Sequence, residues 1–212
     1  LPYEVAITHG HQDHIGGAAE FDQVYIHKAD ADVLKQIPYD GIADYIEQLG
    51  KMGAYDVYDC SPEDLRRSDK MPQVKDLHEG MIFHLGGRDI EVIETPGHTP
   101  GGCSFLDRKE RILFSGDACN GFLLCMGNSV NTLLGALDKI KSYEPDFDRN
   151  FNGHVGYAGM PFVGSMPNSI LDDCIHICET ILDGTAQVCR SKVVLGIDSY
   201  AVFYGNARIA FD

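Results

Sequence analysis

Apolar positions along this chain switch between a period of two and the spacing of a helix, and the switches divide it into short alternating elements. Residues 4–8 (Glu-Val-Ala-Ile-Thr) and 24–27 read as strands, and the small residues from Ile15 to Ala19 read as the opening of a helix. Helical spacing covers 30–36, with Asp residues suited to its N-terminal turn, and 42–52. Ser61-Pro62-Glu63-Asp64 has the chemistry of a helix start, with a capping serine, proline at the first helical position and acids behind it. Two hairpins follow, 81–85 with 90–93 around Gly86-Gly87, and 103–106 with 111–114 around Asp107 to Glu110. A helix over 129–142, a strand over 147–152, a helix opened by Pro167-Asn168-Ser169 and a final hairpin, 200–204 with 207–211, complete the reading.

Composition narrows what such a chain can be. Its 212 residues suffice for one sizeable core and contain no linker-like tract, so a single domain over 1–212 is expected. A formal charge of -15 argues against nucleic acid as a partner, because phosphate tracking needs clustered Lys and Arg. No apolar run is long enough to span a membrane and no leader is recognisable at the start, so no membrane partner is expected. Seven cysteines, an odd number with no Cys-x-x-Cys pair, point to reduced thiols and a cytoplasmic setting. Most read as small core residues, with Cys119 set apart by its closeness to a candidate ligand.

The chemistry is concentrated in Thr8-His9-Gly10-His11-Gln12-Asp13-His14, on the way out of a predicted buried strand. Neutral imidazole and carboxylate at this density are a zinc-type donor set. His9 and His11 alternate with Gly10 in extended backbone, so both rings can point to one side. Asp13 and His14 lie a turn further on. Three later strand ends each deliver one more donor: His98 within Pro96-Gly97-His98-Thr99, Asp117 after Ser115-Gly116, and His154 after Gly153.

These four segments, in this order, resemble the metallo-β-lactamase-fold hydrolases, a family that includes glyoxalase II, lactonases and ribonuclease Z. The resemblance runs from residue 5 to at least 155. It implies an α+β fold, an αββα four-layer sandwich with the site at one rim. It also implies two divalent metal ions, Zn2+ first with Fe or Mn fitting as well, one held by His9, His11 and His98, the second by Asp13, His14 and His154, with Asp117 shared. Two metals about 3.5–4 Å apart hold a bridging hydroxide and lower its pKa toward about 7. Asp13 would orient that hydroxide as the catalytic carboxylate, and no serine or cysteine nucleophile is needed. The implied reaction is attack on a small-molecule ester, thioester or lactone. His14 is the glyoxalase II and lactonase pattern, whereas many true β-lactamases carry another residue there. Alternatives within the same resemblance are a phosphodiesterase or nuclease, a di-iron redox protein, and a metal-binding member without catalysis. Family members carry opening strands before the first motif, so the N-terminal strands are expected to be missing from this chain.

The other histidines, His27, His78, His84 and His176, read as structural or surface residues, His27 least securely. Tyr157 reads as a packing residue. Phe122 and Met126, on the stretch after Asp117, read equally as pocket lining or core. Pocket walls are expected from 30–75, 118–131 and 155–168.

Overall fold

Residues 2–51, 53, 59, 61–154, 164–167, 169–193 and 196–212 are described in a computed structural model. The chain enters through an extended run whose Ile7 N–H donates to the Tyr25 carbonyl at 2.8 Å and whose Ala6 bridges Tyr25 in parallel. A short helix α1 (Gln12–Ile15), strand β1 (Gln23–His27), a 3-10 turn at Ala31–Lys35 and helix α2 (Tyr39–Lys51) follow. Strand β2 (Gln73–Leu77) then runs parallel to β1 with Val24 opposite Val74. Strands β3 (Ile82–His84), β4 (Asp89–Glu94), β5 (Cys103–Asp107) and β6 (Ile112–Gly116) form an antiparallel meander. After β7 (Phe122–Cys125) and α3 (Val130–Ser142), β8 (Arg149–Asn152) joins that meander beside β6, in parallel. Helix α4 (Ser169–Asp183) leads to β9 (Cys189–Lys192), β10 (Asp198–Tyr204) and β11 (Ala207–Phe211), which with β7 make a four-stranded sheet ordered β7-β11-β10-β9.

Side-chain alternation in the five-stranded sheet sets the layers. Val92 and Phe105 face Leu77 and Tyr25 of the β1-β2 pair. The neighbouring residues Ile93 and Leu106, with Leu113, face α3 and α4. Beyond β1, the residues Val24 and Ile26 are covered by Ile15, Leu34 and Ile42. The succession is helices, the β1-β2 pair, the five-stranded sheet, then α3 and α4, which is the αββα order. The four-stranded sheet lies outside it, resting on α4 through Val202 and Ile209. Leu133, Leu137 and Ile140, spaced four and three along α3, are fully buried, each contributing about 1.5–3 kcal/mol by leaving water. Among the described residues no helix is long and apolar enough to cross a membrane.

Several elements differ from the sequence expectation for identifiable reasons. Residues 4–8 make one bridge rather than a strand, because past Ile7 the chain turns to the other sheet, where the Thr8 carbonyl accepts from the Cys103 N–H at 2.8 Å. The 30–36 helix shrinks to a 3-10 turn whose leading Asp30 gives its side chain no capping role. Ser61 and Asp64 do pair, the Ser61 N–H donating to Asp64 Oδ2 at 2.8 Å, yet only one 3-10 turn follows, Pro62–Asp64. Strands β2 and β9 escape the pattern because nearly all their side chains are exposed.

Replacing Leu137 by alanine is expected to cost about 2–5 kcal/mol in urea denaturation. The change Leu85→Ala, at a residue 54% exposed on the β3-β4 turn, is expected to stay within about 0.5 kcal/mol.

Candidate metal centre

The first donors are fixed by what happens at Thr8. Pairing of its carbonyl with β5 brings His9 against the end of the five-stranded sheet. His11 then sits at the N-cap of α1, with φ -73 and ψ 152, and the Ile15 N–H closes the helix on its carbonyl at 3.2 Å. Asp13 and His14 are therefore in the single turn of this helix. His98 lies in the β4-β5 connection. Asp117 and His154 follow β6 and β8, which are parallel neighbours with Gly116 opposite Asn152, so both leave the sheet side by side. Gly153 is required here, since a Cβ would lie 2.5 Å from His14 Cε1.

The seven donors expected from the sequence meet in one cluster. His11 Nδ1 lies 2.8 Å from His98 Nε2, and His154 Nε2 lies 2.8 Å from Asp117 Oδ2. Asp117 Oδ2 is 3.5 Å from His98 Nε2, and its Oδ1 is 3.7 Å from His14 Nε2, which places this carboxylate between the two halves. Asp13 Oδ2 is 3.6 Å from His14 Nε2 and 3.7 Å from His154 Nε2. Donor atoms lie within 4.8 Å of one another in three sets: His9, His11 and His98; His9, His14 and Asp117; Asp13, His14 and His154.

The supporting bonds determine which ring nitrogens face inward. His98 Nδ1–H donates to the Leu124 carbonyl of β7 at 2.8 Å, which leaves Nε2 as a lone pair in the cluster. His9 Nδ1 is 3.1 Å from Thr8 Oγ1. His9 Nε2, His14 Nε2 and Asp117 Oδ1 are buried without a hydrogen-bond partner. Three orphaned polar atoms in one place are costly in a bare protein and fit a cation that would satisfy them all.

Electrostatics point the same way. Burial pushes His9 far below its ordinary value and His98 down to about 4, and it lowers His14 as well, although Asp117 opposes these shifts. For His154 burial is outweighed by the bond to Asp117 and by the charge of Asp13, so its pKa is raised. Asp117 is held well below the usual carboxylate range: burial works against its charge, but the His154 bond and the surrounding imidazoles prevail. His9, His14 and His98 thus present neutral nitrogens at pH 7, the form that binds metal.

Holding the cluster in place is a residue the sequence reading assigned to a helix start. Asp30 is buried, and its Oδ2 accepts from the Gly10 N–H at 2.9 Å and from Thr99 Oγ1 at 2.6 Å, while Oδ1 accepts from the Gly101 N–H at 2.8 Å. One carboxylate therefore ties the His9-His11 segment to the His98 loop. Tyr45 of α2, also not singled out in the sequence, donates to Asp13 Oδ2 at 3.3 Å. It lies 32 residues from Asp13 on another helix, so no local signal marks it.

A cavity of about 440 Å³ opens on the donors, bounded by Gln12, Val33, Pro38 and Tyr45 on one side and by Phe122, Leu124, Met126, Val193 and Ile197 on the other. Phe122 and Met126 do line it, Phe122 from a strand rather than a loop. Val193 and Ile197, at the β9-β10 connection, lie outside the regions expected to form the walls.

The remaining histidines are elsewhere. His27 Nε2 contacts Glu94 Oε1 at 3.3 Å, His78 Nδ1 faces the Glu79 carbonyl at 3.2 Å, His84 pairs with Asp89 at 2.8 Å, and His176 lies against the Tyr204 ring. Cys119 is fully buried in the α3-α4 core. The thiols of Cys103 and Cys125 are pushed up by burial, to about 12 and about 11, which suits packing rather than ligation. Tyr157 and Cys60 lie outside the described residues.

A family model of the metallo-beta-lactamase superfamily matches residues 4–146. The acyl-coenzyme A thioesterase MBLAC2 of Bos taurus is 32% identical over 120 residues, 55% of this chain and 41% of that protein. The hydroxyacylglutathione hydrolase GloC of Haemophilus influenzae is 26% identical over 117 residues, 52% of this chain and 47% of that one. The match thus spans less than half the length of these two curated relatives. The crystal structure of TTHA1623 in a di-iron-bound form aligns at 27% identity with a TM-score of 0.51, covering 73% of this chain and 71% of its own.

The change Asp30→Asn is expected to lower metal affinity about 10–100-fold in chelator competition while the fold persists, the range for residues that orient ligands. Without metal, stability should fall with pH. The depressed His98 pKa means that the unfolded chain takes up its proton first, so stability is lost between pH 6.5 and about 4. That loss is worth about 3 kcal/mol at its limit. His154 acts in the opposite sense, its contribution present at low pH and lost as pH rises through its raised folded pKa. Urea melts in chelator at pH 7, 6 and 5 should show a flatter slope for His98→Asn than for the unsubstituted chain.

Proposed function

Because the chain belongs to the metallo-beta-lactamase superfamily, we propose that it is a metal-dependent hydrolase acting on a small thioester, ester or lactone. The observation that carries this reading is the convergence of seven donors, three of them with orphaned buried atoms, at one end of an open cavity. The names of two relatives, an acyl-coenzyme A thioesterase and a hydroxyacylglutathione hydrolase, support acyl hydrolysis over phosphodiester cleavage.

His9, His11 and His98 would hold one divalent ion, Asp13, His14 and His154 a second, and Asp117 both. Bound there, the pair would supply a water acidified toward pKa 7 and an electrophile for the substrate carbonyl. The chain's own residues do the rest. Asp13, held by the Tyr45 hydroxyl, faces the cavity from the first turn of α1 and accepts a hydrogen bond from the attacking water. The Leu124 carbonyl keeps His98 in the tautomer that presents Nε2. The apolar wall of Phe122, Leu124 and Met126 borders the space in which the substrate carbonyl would sit. A donor set of five histidines and two aspartates favours zinc, while the di-iron form of a related protein makes iron the competing choice.

Metal quantification on purified protein, followed by assays on esters, thioesters, lactones and phosphodiesters, tests the proposal. Chelation should abolish turnover, and adding back zinc, iron or manganese should restore it. The change His98→Ala should lower metal affinity by about 100-fold or more, beyond the usual effect of a supporting residue, whereas His84→Ala should alter neither metal content nor rate. Equal behaviour of the two variants would overturn the assignment.

A further inference from the structure

The cavity is chemically lopsided. The donors, Gln12 and Tyr45 supply its polar groups, and the rest of its lining is mainly aliphatic and aromatic. Every lysine and arginine of the chain lies among the described residues, and none of them lines this cavity. Arg208 of β11 comes near without entering. Its guanidinium lies 4.1 Å from the centre of the Phe122 ring and donates to the Ser191 hydroxyl, so it braces the wall from outside the lining. An anionic carrier such as glutathione or coenzyme A finds no side-chain cation in such a space, and the chain's charge of -15 gives it no long-range attraction.

An alkyl chain finds the opposite. Phe122, Leu124 and Val193 offer one continuous apolar face. Ile197 extends it while remaining 51% exposed, apolar area that a bound chain would cover. Val193 and Ile197 are fixed to each other by the Val193 N–H donating to the Ile197 carbonyl at 3.0 Å. Both belong to the β9-β10 connection, beyond residue 146 where the family-model match ends.

We infer that the site recognises the apolar acyl group of its substrate rather than the thiol or alcohol that carries it, and that Val193 and Ile197 gauge the length of that group. This rests on the hydrolase reading above. Water adds to the acyl carbonyl, the carbon–sulfur or carbon–oxygen bond breaks, and a fatty acid leaves with the protonated carrier.

The test uses metal-loaded protein and thioesters of N-acetylcysteamine, a neutral carrier, from acetyl to decanoyl, with octanoyl-glutathione and octanoyl-coenzyme A alongside. On the neutral carrier, kcat/KM should rise about fourfold per added methylene until the cavity is filled, the factor that corresponds to about 0.8 kcal/mol per buried CH₂. The two charged carriers should gain nothing over the neutral one. The change Ile197→Ala should reduce the octanoyl-to-acetyl ratio of kcat/KM by about fourfold or more, and Ile197→Trp should shift the optimum to shorter chains. Ketone analogues with CH₂ in place of sulfur, titrated calorimetrically into the same protein, provide a readout without turnover, and their Kd should tighten along the series. A flat chain-length profile in both assays, or a tenfold preference for glutathione or coenzyme A, overturns the inference. If no ester or thioester is hydrolysed while ketone binding still tightens with length, the hydrolase reading fails and the gauge stands.

Discussion

One buried carboxylate joins the two loops that carry His9, His11 and His98. Asp30 accepts three hydrogen bonds, from backbone on either side of the cluster and from the Thr99 hydroxyl, and in doing so fixes the distance between two donor segments nearly ninety residues apart in the chain. A buried charge with no lysine or arginine beside it is costly. Two backbone N–H groups and a hydroxyl offset that cost only if the loops carrying them stay where they are. The requirement extends to packing: a Cβ on Gly101 would lie 2.6 Å from the Asp30 carboxyl carbon, so the loop closes around the carboxylate only as glycine.

The second constraint is the parallel pairing of β6 with β8. Side-chain direction alternates along a strand, so a slip of one residue would turn every side chain to the other face. The observed register brings Asp117 and His154 out at one level, within hydrogen-bonding distance, and the α3-α4 core against Leu113 holds it there. The cluster is thus assembled by two independent devices, a hydrogen-bonded clasp on one side and a sheet register on the other. The shared Asp117 lies where they meet.

Much of this was legible in the sequence, and the limits are instructive. The histidine cluster and the three later donors stand out because glycine, proline and apolar strand residues surround each one. The β4-β5-β6 meander and the α3 and α4 helices show their periods plainly. Asp30 carries no distinguishing mark, because an acid before a helical run looks the same whether it caps the helix or reaches across to Gly10 and Gly101. Tyr45, Val193 and Ile197 carry no local mark at all, since their importance depends on long-range packing. Strand β2, with only Leu77 buried, owes its existence to pairing with β1 rather than to its own pattern.

Strand β7 serves two purposes with a single residue. The carbonyl of Leu124 fixes the ring of His98, while its side chain forms part of the cavity wall. Any change that moves this strand to reshape the wall also re-aims the His98 ring. The β9-β10 connection carries no such double duty among the described residues. At Val193 and Ile197 the wall can be rebuilt while the donor cluster is left alone.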